Sequence, residues 1–153
     1  MTTTTAARAG RPRVVEAAFL LLLALIAVDV VTWALGMFVI APTGLDEMRA
    51  AAGPEAGLRQ AAVSGAFTAV IAAVGVVLAV LIRRGRNWAR LVLVGIAALV
   101  VLLDLATITM DGPPWAGMTG FTAISTIAPA LLALAALVLL FLPTANPYFR
   151  RSA

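Results

Sequence analysis

The stretch AAVSGAFTAVIAAVGVVLAVLI, Ala61 to Ile82, decides the fold, because no charged residue occurs between Gln60 and Arg83. A helix that crosses a hydrocarbon core of about 30 Å needs about 20 mostly apolar residues, and this run supplies them. Directly after it comes Arg83-Arg84-Gly85-Arg86-Asn87-Trp88. In that basic hairpin Gly85 suits the left-handed C-cap of one helix, and Asn87 suits the N-cap of the next. Trp88 stands where a membrane protein carries its interfacial aromatic belt.

Working outward, three further segments have span length: Val14 to Ile40, Trp88 to Met110 and Phe121 to Leu142. The expectation is an all-α integral membrane protein, a four-helix bundle forming a single domain over residues 1–153, with spans over about 14–40, 61–82, 88–110 and 121–142. Composition agrees. Of the 153 residues 63% are hydrophobic and 12% charged, and the mean hydropathy is +1.06. A soluble domain runs at about 45–50% apolar and about 25% charged, and a chain this short cannot bury such an excess in a globule. The first span is expected as a retained helix rather than a signal peptide, since its apolar run continues past Asp29 and no A-x-A site follows Leu23 at a suitable distance.

Orientation follows from the arginines. Arg8, Arg11 and Arg13 precede span one; Arg83, Arg84, Arg86 and Arg90 join spans two and three; Arg150 and Arg151 close the chain. Only Arg49 and Arg59 fall on the other side. Both termini are therefore expected in the cytoplasm of a bacterial cell, the protein being a multi-pass component of the inner (plasma) membrane. The net charge of +4 and pI of about 11.4 then read as a rim at Arg83, Arg84, Arg86, Arg90, Arg150 and Arg151 facing anionic lipid headgroups. With the arginines at helix ends, a nucleic-acid partner is not expected. The first outer loop holds a short helix over about 45–52, acidic at its start and broken by Gly53-Pro54, expected to lie on the outer membrane surface.

Several chemistries are excluded by residue type. There is no cysteine and no histidine, and every basic residue is arginine. Disulfides, iron–sulfur clusters, histidine-centred metal sites, Ser-His-Asp and Cys-His nucleophiles, lysine Schiff bases and P-loops all require what is missing. No metal, cofactor or catalytic residue is assigned, and the chain is not read as an enzyme.

Two carboxylates lie inside the spans. Asp29 is 16 residues from Arg13 and Asp104 is 14 from Arg90, which puts them about 24 Å and 21 Å along their helices. Each begins a D-x-x-T pattern, with Thr32 and Thr107, and residues three apart share a helix face. Asp29, Thr32, Asp104 and Thr107 are thus the candidate intramembrane polar site, whose acids bind a proton, a cation or a basic group, or merely hydrogen-bond across helices. Glu16, near the cytoplasmic edge, is expected to pair with Arg13 or solvent. Small residues at spacing four form packing ridges: Ser64, Gly65, Thr68 and Ala72 in span two, and Thr126, Pro129 and Ala130 in span four. These serve packing within the bundle, or homodimerisation through span two or four.

The G-R-N-W-A-R hairpin, Gly85 to Arg90, and the L-P-x-x-N-P-Y-F-R-R ending, Leu142 to Arg151, resemble small uncharacterised four-span membrane proteins of actinobacteria. The resemblance implies the four-span plan and brings no activity. The leading expectation is a non-catalytic inner-membrane accessory or interaction subunit in a homodimer or larger membrane complex. The alternative is a small proton-coupled transporter or exporter with Asp29 and Asp104 as its coupling pair.

Overall fold

The computed structural model describes residues 13–111 and 120–143; for residues 103–111 it describes the helical backbone only. Among the described residues there are five helices and no strand: α1 (Arg13–Phe38), α2 (Gly44–Ala52), α3 (Pro54–Arg83), α4 (Asn87–Asp111) and α5 (Gly120–Phe141). Helices α1, α3 and α5 are long and apolar enough to cross a membrane, whereas the described apolar stretch of α4, Asn87–Leu102, is shorter.

Local chemistry sets the helix ends. The Thr43 side chain caps α2 by accepting from the Asp46 N–H at 3.1 Å, while its hydroxyl donates to Asp46 Oδ2 at 2.6 Å. Asp46 and Glu47 complement the helix dipole in that first turn. Gly53, at φ 88°, ends α2, and Pro54 opens α3 with its ring preset for a helix. Helix α3 therefore starts well before Ala61. Its first turns carry α2 against them, and a Cβ on Gly57 would lie only 2.6 Å from the backbone nitrogen of Arg49. The short helix is thus folded onto α3 through a glycine contact, rather than held by lipid alone.

The α3–α4 hairpin closes as the sequence predicts. Gly85 adopts φ 82°, its N–H donates to Ile82 O at 2.9 Å, and the Arg86 N–H donates to Leu81 O at 3.0 Å. This pair of bonds is the Schellman arrangement. Asn87 is the first residue of α4 rather than its cap, so the helix starts one position earlier than expected. Likewise α1 stops at Phe38, and Val39 and Ile40 both turn back to donate to Leu35 O.

The buried core is Val15, Ala18, Phe19 and Leu22 of α1, Leu78, Ala79 and Ile82 of α3, Ala89 of α4, and Ala136 and Leu140 of α5. All of these lie toward the hairpin end. Helix α1 is central, packed most extensively on α5 and then on α3, while α4 meets α3 beside the hairpin and touches α5 only slightly.

Candidate functional site

The α1–α3 seam is a row of small residues met by large ones. Gly65, Thr68, Ala72, Gly75, Ala79 and Ile82 recur along α3 at spacings of three and four, and so share one face. A Cβ on Gly65 would come 3.0 Å from Trp33 Cη2, and one on Gly75 would come 3.0 Å from Ile26 Cδ1. Trp33 Nε1 donates to Ser64 Oγ at 3.1 Å, and its ring meets Phe38 edge-on with centroids 5.8 Å apart. Ser64, Gly65, Thr68 and Ala72 thus belong to packing inside the chain. On α5, Gly36 of α1 faces Phe121, with 3.4 Å from a Cβ to Cε1. There Pro129 is half-buried while Thr126 and Ala130 are exposed. The span-four set therefore does not share one packed face: Pro129 is turned inward, Thr126 and Ala130 outward.

Asp29 stands on the inner stripe of α1. It is seven residues beyond Leu22 and fourteen beyond Val15, which are 5% and 0% exposed, and seven before Gly36. Residues seven apart stay within about 20° of one another on a helix. Yet Asp29 is exposed. Among the described residues its carboxylate has no hydrogen bond or ion pair. Thr32 does not complete a polar cluster with it. The threonine hydroxyl donates instead to the backbone carbonyls of Val28, at 2.8 Å, and Asp29, at 3.1 Å.

Helix α4 is covered mainly near its start, among its described side chains. Ala89 and Arg90 in its first turn are buried, Leu93 and Ala97 are half-buried, and the other residues from Leu91 to Leu102 are exposed. Gly95 has nothing within 4 Å of where a Cβ would lie. The described side chains of α4 thus pack on the other helices mainly in its first turns. Asp104 and Thr107 lie in α4, but their side chains fall outside the described residues, as do Arg150 and Arg151 altogether. By backbone register Asp104 is seven residues beyond Ala97 and fourteen beyond Arg90, on the same face of α4 as those packed residues.

At the hairpin end the arginines divide. Arg84 and Arg86 are exposed. Arg83 instead donates to Glu16, with Nη2 2.8 Å from Oε1, and stands 4.6 Å over the Phe19 ring. Glu16 is therefore joined to Arg83 of α3, not to Arg13 of its own helix. Arg90, 7% exposed, lies 3.8 Å over the Phe141 ring. Both arginines are turned into the protein, where they tie α1 to α3 and α4 to α5 by cation–π contact. Sequence reasoning missed these ties. The available signal was the position of Glu16 and Arg83 at the same end of two antiparallel helices.

Among the described residues no three acidic side chains gather as a metal site. Among the described residues the chemistry on offer is the exposed Asp29 carboxylate within a long apolar helix. No protein family, no curated protein and no solved structure matches the chain.

Proposed function

We propose that the protein is a non-catalytic accessory subunit of the bacterial inner membrane, which receives a transmembrane helix of a partner in the groove between α1 and α4. On this reading α4 crosses the membrane as a fourth span, both termini are cytoplasmic, and Arg84 and Arg86 meet anionic headgroups. The observation that carries it is the uncovered inner stripe of α1 at Asp29, between the buried Leu22 and the packed Gly36. Helix-in-groove recognition needs that kind of concave, unfilled apolar surface.

The test is purification from the native membrane in mild detergent. A partner of fixed stoichiometry is expected, and Asp29→Trp, which plugs the groove, is expected to release it while leaving the fold intact by circular dichroism. Purified protein that moves protons or a cationic dye in vesicles, and stops when Asp29→Asn and Asp104→Asn are introduced, would instead establish a transporter. A reporter fused at Ala153 is expected to read as cytoplasmic; a periplasmic signal overturns the orientation.

A further inference from the structure

We infer that Asp29 is the anchor of this groove, and that the docking helix carries a lysine or arginine side chain at the same depth. The inference rests on the proposed docking role and specifies the chemistry of the partner. An ionisable group within a span takes a counter-charge or polar partner, because the apolar surroundings leave it little solvation.

Among the described residues none engages it. The two donors of α1 within a turn of Asp29 are both committed, the Thr32 hydroxyl to backbone carbonyls and the Trp33 indole to Ser64. Cations are also out of reach. Since Ile26 lies opposite Gly75, and Trp33 opposite Ser64 and Gly65, Asp29 is level with Ile71 and Ala72 of α3. Arg59 and Arg83 are at least eleven residues from there along α3, about 17 Å. Arg13 of α1 is farther still.

Three other occupants fit less well. A second copy in the same orientation carries its arginines at the same levels as the first, and so brings none to Asp29. If α4 closes over the groove, it brings the packed face that carries Asp104, an acid and not a base. A small organic cation supplies charge but does not fill a groove as long as a helix. A basic residue on an apolar helix provides both at once, with a charge-assisted hydrogen bond to the carboxylate.

The experiment uses the full chain in phosphatidylcholine vesicles, with Trp88→Phe and Trp115→Phe so that Trp33 alone fluoresces. The probe is a dansyl-labelled Leu/Ala helix of span length with one central lysine, compared with the same helix carrying leucine there. Energy transfer from Trp33 is expected to show about tenfold tighter association of the lysine helix. That preference is expected to vanish in Asp29→Asn and to persist in Asp29→Glu. Equal binding of the two helices overturns the anchor and leaves the docking groove standing. Failure of both helices to bind overturns the anchor and the docking role together. A dansyl alkylammonium that binds in an Asp29-dependent way, when the lysine helix does not, assigns the groove to a small cation and likewise overturns the inference.

Discussion

The two ends of the bundle are built on opposite principles. At the hairpin end four helices meet, with Phe19, Leu22, Ile82 and Leu140 packed among Ala18, Ala79, Ala89 and Ala136. The Glu16–Arg83 pair and the Arg90–Phe141 stack lock the same level. Midway along, α1 and α3 still hold through Trp33, Ser64 and Gly65, but Asp29 is exposed and the described α4 side chains beyond Ala97 are exposed too. In lipid an apolar surface gains little by meeting another apolar surface, so helices adhere where shapes interlock or polar groups pair. The described part of α4 has both only in its first turns. Its Leu and Val residues beyond them, as far as Leu102, are exposed.

The sharpest way to break this comparison is to empty the core at one end and trim a side chain at the other. Ile82 is fully buried, whereas Leu99 is 55% exposed. Ile82→Ala is expected to lower stability by about 2 kcal/mol or more through the cavity it leaves. Leu99→Ala is expected to stay within about 0.5 kcal/mol, as surface changes do. Thermal unfolding in detergent micelles measures both. Equal losses would mean that α4 is packed along its whole length and that no groove exists.

How much of this was legible depends on range. The three long apolar helices and the Gly85 turn could be read because each is local, a run of residues or a single backbone angle. Cap positions drifted by a residue where two polar neighbours, Arg86 and Asn87, compete for one role. The Glu16–Arg83 pair was hidden because its members are 67 residues apart, and Arg13 lies closer to Glu16 in sequence. The D-x-x-T pattern misled in its details. The spacing does put Thr32 near Asp29, but a helical threonine also reaches the carbonyl four residues back, and that bond is the one formed. That Asp29 shares the stripe of Val15 and Leu22 was readable from spacing alone. That the stripe is uncovered at Asp29 was not, because it depends on where α4 parts from the other helices.

A smaller effect tests the hairpin itself. Gly85 is held at φ 82° by the bonds that close the turn, and a side chain in that region of backbone space costs about 1 kcal/mol. Gly85→Ala is expected to lower stability by that amount in the same unfolding assay. Gly95→Ala is expected to cost nothing, since nothing lies near its Cβ position. A loss at Gly95 equal to that at Gly85 would place another helix against α4 and erase the contrast between the two ends.

The smallest effects are the most informative about Asp29. Ser64→Ala removes the hydroxyl that accepts from Trp33 at 3.1 Å, and interhelical hydrogen bonds in membranes average about 0.6 kcal/mol. Asp29→Asn removes a charge that no described residue of the chain engages, so stability is expected to change by less than about 0.5 kcal/mol. The two variants lie about one turn apart along the bundle, yet they ask different questions. Ser64 is part of what holds α1 to α3, so its loss should appear in the isolated protein. Asp29 contributes nothing to the isolated fold, so its loss should appear only when the groove is filled. If Asp29→Asn destabilises the purified protein as much as Ser64→Ala or more, the carboxylate already has a partner within the chain. Asp29 would then be a structural hydrogen-bonding group and not a vacant anchor.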